Sequence, residues 1–251
     1  MKAMIFAAGL GTRLKPLTDN IPKALIPVAG KPLLQHTIEK LKQAGFDEII
    51  INIHHFAEQI IDFVNKNNSF DIRIEFSDER DNLLDTGGGI KKASHFFDDD
   101  KPFLIHNVDI LSNIDLKALY TYHINHNAYV TLVCSERKTS RYLYDKFLNN
   151  LELFNEDNKL KGWINEKTGE VKSPIPNFIV SEHKKLAFSG IQVLNPSVFS
   201  YMSGFNVKFS IVDFYLHLCY IEKILNYTPS NLKMIDVGKI ESLKKANNYI
   251  F

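Results

Sequence analysis

The sequence predicts an α/β protein built on a Rossmann-like, mixed and mostly parallel sheet with helices on both faces. Three observations predict this class. Strand-like and helix-like patterns alternate through the first half of the chain, and the first strand is a continuous apolar run that ends in a glycine loop. The 251 residues are enough to bury one core, and no linker or internal repeat divides them. We therefore expect a single domain, residues 1–251.

Apolar or alternating runs predict five strands before Glu136. They are Ala3–Ala8, Glu48–Ile53, Asp71–Phe76, Pro102–Val108 and Tyr129–Ser135. Apolar residues at helical spacing predict the helices between them, which are Leu33–Ala44, Ala57–Asn67, Gly88–Phe97 and Leu116–His126. Pro32 suits the first turn of the first helix, and Gly45 is a natural stop for it.

After Glu136 the pattern changes to short antiparallel strands. Phe147–Phe154 and Lys159–Ile164 are predicted to flank a turn at residues 155–158. Further strands are predicted at Leu186–Val193 and Leu232–Asp236, and helices at Ser210–Ile224 and Ile240–Asn248. These patterns divide the domain into a core of residues 1–135, an inserted lobe of residues 136–187 over the ligand, and a return to the core at 188–251.

Charge and composition exclude several classes of function. Thirty basic residues balance twenty-nine acidic ones, so no global field favours nucleic acid or an anionic membrane as partner. The first apolar run is too short for a signal peptide, and no segment has the length of a membrane span. Cys134 and Cys219 lie in apolar runs, which indicates reduced thiols in a cytoplasmic protein.

The loop after the first strand has the composition of an anion site. In Gly9-Leu10-Gly11-Thr12-Arg13 the glycines allow close approach of backbone N–H groups, and Arg13 supplies a fork of donors. Leu14 stands where the dinucleotide fingerprint needs its third glycine, and no acidic residue ends the second strand. The spacing is not that of a Walker A loop either. The loop therefore predicts phosphate binding without either standard motif.

A second loop carries three successive glycines, Gly87–Gly89, after Thr86. Each glycine inside a helix costs up to about 1 kcal/mol relative to alanine, so some group has to approach this backbone closely. Helix–sheet packing explains one such glycine more readily than three, which favours a ligand at Thr86, Gly87 and Gly88.

Two aspartates are placed to bind a metal ion. Asp109 follows the strand Phe103–Val108, and Asp236 ends the strand that precedes Val237-Gly238. Ligands of open α/β sheets bind beyond the carboxyl ends of the strands, so both side chains should converge there. Mg²⁺ takes one or two protein carboxylates and completes its shell with water and substrate phosphate. The pair therefore predicts an Mg²⁺ site.

These motifs together resemble the sugar-1-phosphate nucleotidyltransferase family. Its N-terminal signature is similar to residues 9–18 and 22–32, and the segments Asp85–Ile90, Asn107–Asp109, Phe188–Ile191 and Ile235–Gly238 follow in family order. The resemblance implies the nucleotide-diphospho-sugar transferase fold. It also implies that the core 1–135 binds the nucleotide and that the lobe 136–187 lies on the sugar side.

The resemblance assigns roles to individual residues. Arg13 and Lys23 would be catalytic, and Asp109 and Asp236 would hold Mg²⁺. The nucleotide would be bound by Ala8, Gly9, Gly11, Thr12, Arg13, Thr86, Gly87 and Gly88, and the sugar by Asn107, Ser189 and Gly190. The sequence departs from the family at Val108, where glycine or alanine is usual.

The implied reaction joins a nucleoside triphosphate to a sugar 1-phosphate and releases pyrophosphate. The glycine loop and the run from Phe188 most resemble N-acetylmuramate-1-phosphate uridylyltransferases, which would use UTP in cell-wall sugar metabolism. Mannose-1-phosphate guanylyltransferases and glucose-1-phosphate uridylyl- or thymidylyltransferases are the alternatives. Because Val108 departs from the family motif, a catalytically silent sugar-nucleotide sensor, which is not an enzyme, is a further alternative. A monomer or small homo-oligomer is expected.

Overall fold

The computed structural model of the chain describes residues 1–146 and 159–248. Within these ranges the strands are β1 Lys2–Phe6, β2 Pro27–Val28, β3 Lys31–Pro32, β4 Glu48–Ile53, β5 Arg73–Asp78, β6 Phe103–Asn107, β7 Ile110–Ser112, β8 Val130–Ser135, β9 Arg141–Lys146, β10 Gly162–Asn165, β11 Glu170–Lys172, β12 His183–Leu194, β13 Ile224–Tyr227 and β14 Met234–Asp236. The helices are α1 Leu33–Gln43, α2 Ala57–Lys66, α3 Asp85–Lys92, α4 Leu116–Asn125, α5 Val198–Met202, α6 Ile211–Leu218 and α7 Ile240–Asn247.

A large mixed sheet forms the centre of the fold, in the order β11-β10-β9-β12-β6-β1-β4-β5. Strands β5, β4, β1 and β6 are parallel neighbours, whereas β12 runs antiparallel to β6. Beyond β12, the strands β9, β10 and β11 are antiparallel, and β8 joins β12 to β13. The predicted class, a mixed sheet flanked by helices, is confirmed.

The central parallel strands β1, β4 and β6 are buried on both faces, which explains their largely apolar sequence. Ala3 and Ile5 pack into one core with helices α1 and α2, and Met4 packs on the other face into a second core that includes Ile90 of α3. No helix in the described part of the chain is long and apolar enough to cross a membrane.

Several predicted elements need correction. Helix α6 ends at Leu218, and Ile224, the predicted end of that helix, instead begins β13. Helix α3 begins at Asp85 rather than Gly88, so the three glycines lie inside it. Pro32 is the N-cap of α1 and belongs to the short strand β3, so it stands before the first turn. The predicted strand Phe147–Phe154 and the turn at residues 155–158 lie outside the described residues.

A two-stranded ribbon brings the C-terminal part of the chain to the end of β6. Strand β14 pairs antiparallel with β7, which places Asp236 opposite Ile110. The N–H group of Val237 donates to the carbonyl oxygen of Asp109 at 2.8 Å. Asp236 therefore reaches Asp109 through this ribbon, and not as the end of a strand in the main sheet as the sequence suggested.

Candidate active site

A cavity of about 400 Å³ opens at the carboxyl ends of β1, β4 and β6. The residues that line it come from both glycine loops and from the ends of these strands. They are Phe6, Ala7, Ala8, Gly9, Lys23, Asn52, Glu79, Leu83, Asp85, Thr86, Asn107, Val108, Asp109 and Lys208. The cavity thus unites residues that the sequence assigned to nucleotide, sugar and metal.

The start of the first glycine loop is anchored by a buried amide. The N–H groups of Ala7 and Ala8 donate to Asn52 Oδ1 at 2.7 and 3.3 Å. A Cβ atom at Gly9 would have no protein atom within 4 Å, so the backbone there is open to the cavity. Asn52 therefore holds the start of the loop, and the backbone at Gly9 is open where a phosphate would approach.

The remainder of the loop turns away from the cavity. Gly11 has φ +67°, and a Cβ atom there would lie 2.9 Å from the Thr18 side chain, so both conformation and space require glycine. Gly11, Thr12 and Arg13 do not line the cavity. Arg13 is exposed, and its guanidinium lies over Gly238, where a Cβ atom would be 2.7 Å from both Arg13 Nη2 and Asp236 Oδ1. The structure therefore brings Arg13 to Asp236.

Lys23 and Asp109 form an ion pair at the floor of the site. Lys23 Nζ donates to Asp109 Oδ2, and the two side chains are only 11% and 17% exposed. Partial burial strengthens such a pair relative to a surface ion pair. The lysine assigned to catalysis and the aspartate assigned to the metal are thus direct neighbours.

The chemistry of the two aspartates is compatible with a magnesium site that substrate and water would complete. Asp109 and Asp236 lie on adjacent backbone segments, and both offer the hard oxygen ligands that Mg²⁺ prefers. Across residues 1–146 and 159–248 no group of three or more His, Cys, Asp or Glu side chains could hold a metal ion. A closed structural site is therefore not formed by these residues, whereas a two-carboxylate site open to phosphate and water is compatible with them.

The predicted sugar-contacting residues meet where β6 pairs with β12. Gly190 has φ +72°, and a Cβ atom there would lie 2.6 Å from Asn107 Nδ2. Ser189 is buried, and no hydrogen-bond partner for its Oγ atom is present in the described residues. Only Asn107 of the three lines the cavity.

A buried histidine orients the end of β6. His106 Nδ1–H donates to the carbonyl oxygen of Asn107 at 2.8 Å. Complete burial lowers the pKa of His106 from 6.5 to about 4, so the imidazole is neutral near pH 7. A neutral ring with its proton on Nδ1 thus holds the carbonyl group of Asn107 at the end of β6.

The three glycines of α3 have a structural explanation that the sequence did not predict. A Cβ atom at Gly87 would overlap the Phe209 ring, one at Gly88 would overlap the Val207 carbonyl oxygen, and one at Gly89 would lie 2.9 Å from Glu79 Oε1. Packing thus accounts for all three, and the argument that it could not is wrong.

The three residues of this helix that the sequence assigned to the nucleotide differ in their access to the cavity. Thr86 lines the cavity, whereas Gly87 and Gly88 do not. The N–H groups of these two glycines donate to the Phe209 carbonyl oxygen at 2.9 and 3.3 Å. Thr86 is therefore the accessible member of the predicted set.

Sequence reasoning missed Asn52 and Glu79. Their side chains are 4% and 1% exposed, and Asn52 Nδ2 donates to Glu79 Oε1 at 2.8 Å. Glu79 Oε2 accepts the Leu84 N–H at 3.0 Å, so the pair ties the first glycine loop to the second. The available signal was a lone asparagine inside the apolar strand β4, because buried polar groups occur where partners satisfy them.

The side chain of Val108, the residue that departs from the family motif, packs in the hydrophobic core. Its side chain is 4% exposed and packs in the same cluster as Ile5 and Ile51, while its N–H donates to the Phe6 carbonyl oxygen at 3.1 Å. The backbone that leads to Asp109 is thus paired with β1 despite the valine.

Comparison with known protein families shows to which family the chain belongs. The nucleotidyl transferase family matches residues 2–251. The chain belongs to this family. Part of the N-terminal signature, Gly9 and Lys23, lines the cavity described above.

Two curated relatives carry the names of sugar-phosphate nucleotidyltransferases. An N-acetylmuramate α-1-phosphate uridylyltransferase from Neisseria meningitidis is 45% identical over 120 residues, which cover 48% of this chain and 52% of the relative. A mannose-1-phosphate guanyltransferase from Gibberella zeae is 36% identical over 145 residues, covering 57% and 40%. The chain thus spans about half the length, or less, of these relatives.

Solved structures support the fold. HddC from Yersinia pseudotuberculosis in complex with GMP-PN has a TM-score of 0.73 at 23% identity, with 98% of each chain covered. A UDP-glucose pyrophosphorylase from Acinetobacter baumannii has a TM-score of 0.76 at 17% identity, with 98% of this chain and 91% of that one covered. At this identity the likeness concerns the fold alone.

Proposed function

We propose that the protein is a sugar-1-phosphate nucleotidyltransferase, which makes a nucleoside diphosphate sugar and pyrophosphate. The observation that carries this proposal is the single cavity that contains Gly9, Lys23, Asn107 and Asp109. An open glycine backbone, a partly buried lysine–aspartate pair and a strand-end amide are the parts needed to hold a triphosphate beside a sugar phosphate.

The proposed reaction is a single in-line displacement. A phosphate oxygen of the sugar 1-phosphate forms a bond to the α-phosphorus, and the bond from that phosphorus to the pyrophosphate oxygen breaks. No nucleophile from the protein is needed, so catalysis consists of positioning and charge stabilisation. The backbone at Ala8 and Gly9 would bind the triphosphate, Lys23 would stabilise charge on the reacting phosphate, and Asn107 with Gly190 would position the sugar.

Arg13 has a distinct part in this proposal. It lies beside Asp236 rather than in the cavity lining. There it would neutralise the outer phosphates, which become the leaving pyrophosphate. Asp109 and Asp236 would hold Mg²⁺, which when bound would neutralise phosphate charge.

The preferred substrates are UTP and N-acetylmuramate 1-phosphate. The relatives from Neisseria meningitidis and Caulobacter vibrioides, at 45% and 41% identity, carry the name of that uridylyltransferase and support this choice. Mannose 1-phosphate with GTP, and glucose 1-phosphate with UTP or dTTP, are the alternatives. The cytoplasmic location, the monomer or small homo-oligomer and the sugar-side lobe 136–187 stay predictions.

A catalytically silent sensor is the competing function. It was suggested by Val108, but this side chain is accommodated in the core and leaves Lys23 and Asp109 paired. The enzyme is therefore favoured.

The test is pyrophosphate release from a panel of nucleoside triphosphates and sugar 1-phosphates with Mg²⁺. We expect pyrophosphate release, with a higher kcat/KM for one pair of substrates than for the others. Lys23→Ala should lower kcat by about 10²-fold, as loss of one transition-state donor does. Lys15→Ala is the matched control, because Lys15 is an exposed residue paired with Asp19, and its kcat should not change. Binding of nucleotide sugars without turnover of any pair would favour the sensor.

A further inference from the structure

Lys208 lines the cavity although no sequence motif marks it. It precedes α6 and shares the cavity with Gly9, Lys23 and Asp109. Its side chain is exposed. No hydrogen bond or ion pair joins it to another residue within 1–146 and 159–248. An unpaired cation thus borders a site built for phosphates.

The backbone around Lys208 is docked firmly on α3. The carbonyl oxygen of Phe209 accepts the N–H groups of Gly87 and Gly88, and the Ile211 N–H donates to Thr86 Oγ1 at 3.0 Å. The carbonyl oxygen of Val207 fills the space where a Cβ atom of Gly88 would be. Both neighbours of Lys208 are therefore held against the helix that borders the cavity.

The charge balance of the cavity depends on this lysine. Three acidic residues line it, Glu79, Asp85 and Asp109, against the two basic residues Lys23 and Lys208. Lys23 is already paired with Asp109. Because Lys23 and Asp109 neutralise each other, Lys208 is the basic residue of this lining whose charge no carboxylate of the described residues already pairs, and it offsets the remaining carboxylates where a phosphate group would bind.

We propose that Lys208 binds a phosphate group of a substrate in this cavity. Gly87 and Gly88 serve this function because they let the Lys208 loop dock on α3. The phosphate belongs either to the nucleoside triphosphate or to the sugar 1-phosphate, which present the same charged oxygens to an ammonium group. This inference rests on the proposed function for the identity of the substrates.

Steady-state kinetics of Lys208→Ala test the proposal, with Lys101→Ala, an exposed lysine outside the cavity, as matched control. KM is measured for each substrate with the other one saturating. We expect KM to rise about tenfold for one substrate, kcat to change much less, and Lys208→Arg to recover part of the affinity, as for a charge-assisted hydrogen bond. A raised KM for the triphosphate or for the sugar phosphate identifies the source of the group. Changes below twofold in both would overturn the proposal.

A second variant tests the docking of the loop. Gly88→Ala displaces the Val207 carbonyl oxygen, so it should raise the same KM as Lys208→Ala and also lower Tm. Lys208→Ala should leave Tm unchanged. If Gly88→Ala lowers Tm but leaves that KM unchanged, the role of the glycines is refuted.

Calorimetric titration separates this inference from the proposed function. Wild type and Lys208→Ala are titrated with inorganic tripolyphosphate and with N-acetylmuramate 1-phosphate. Weaker binding of either probe to Lys208→Ala supports the inference even if the wild type turns over no substrate pair. Equal binding of both probes contradicts it even if the wild type is active.

Discussion

Exchanging the donor and acceptor groups of Asn52 and Glu79 should reveal how the two glycine loops are joined. In the native protein Asn52 Nδ2 donates to Glu79 Oε1 at 2.8 Å, and the two side chains are almost completely buried. Asn52→Asp places two carboxylates at this distance. Glu79→Gln turns an amide N–H₂ group towards either Asn52 Nδ2 or the Leu84 N–H. Each single variant therefore sets two like groups against each other.

The double variant, Asn52→Asp with Glu79→Gln, should restore every hydrogen bond with the same net charge. The introduced carboxylate still accepts from the N–H groups of Ala7 and Ala8 with one oxygen, and its other oxygen now accepts from the introduced amide. The carbonyl oxygen of that amide accepts from the Leu84 N–H. A buried unsatisfied polar or charged group costs about 2–3 kcal/mol. We therefore expect about 2–3 kcal/mol of lost stability in each single variant and near-native stability in the double variant, which corresponds to a favourable coupling of about 4–6 kcal/mol.

Urea unfolding of the four proteins at pH 7 measures this coupling, and KM for the triphosphate reports on the loop. The Asn52→Asp variant should also lose stability as pH rises above about 4, because one carboxyl of its pair keeps a proton in the folded state. The KM should rise in both single variants and recover in the double one. Additive losses of stability, with no recovery of KM, would refute the proposed connection.

Three further predictions follow from the site and the core. Activity should vanish with EDTA and return with Mg²⁺, and Asp236→Asn should raise the Mg²⁺ concentration needed for half-maximal rate; undiminished turnover under chelation would contradict the metal assignment. Val108→Gly should cost about 2–4 kcal/mol and lower turnover, since it removes a buried side chain and loosens the strand that leads to Asp109; a gain in activity would favour the sensor. Burial lowers the pKa of His106 and His123 to about 4, so the unfolded chain takes up protons below pH 6.5 before the native state does, and stability should fall as pH drops from 6.5 to 4. His123→Gln should reduce this pH dependence in urea unfolding, and an unchanged dependence would contradict the assignment.

Much of the fold was predictable because its central strands β1, β4 and β6 are buried on both faces. The limits of β4 match the predicted strand, and those of α1, α2 and α4 differ from the predicted helices by one residue. The prediction was wrong where the local apolar pattern suits a helix and a buried strand equally well. The apolar run Ser210–Ile224 suits one long helix, but its end pairs with β8 as β13, which depends on a strand distant in sequence.

Residues of the candidate site were predictable where they belong to a sequence motif. They were not predictable where only tertiary contacts bring them to the cavity. Lys23 and Asp109 were identified from the sequence, and the structure brings them into contact. Their ion pair, the role of Glu79 and the position of Lys208 depend on loops that meet only in the folded chain. The glycines of α3 show the same limit, since the atoms that need their space belong to Val207 and Phe209.

The central claim is that the protein transfers a nucleotidyl group to a sugar phosphate, and ³¹P NMR of the complete reaction tests it most directly. Wild-type protein is incubated with UTP, N-acetylmuramate 1-phosphate and Mg²⁺, and with the alternative pairs in parallel. The account predicts that the diphosphate diester and pyrophosphate signals grow in equal amounts for one pair, and that added pyrophosphate reverses the reaction. Hydrolysis of the triphosphate without a diester signal, or no change with any pair, would contradict it.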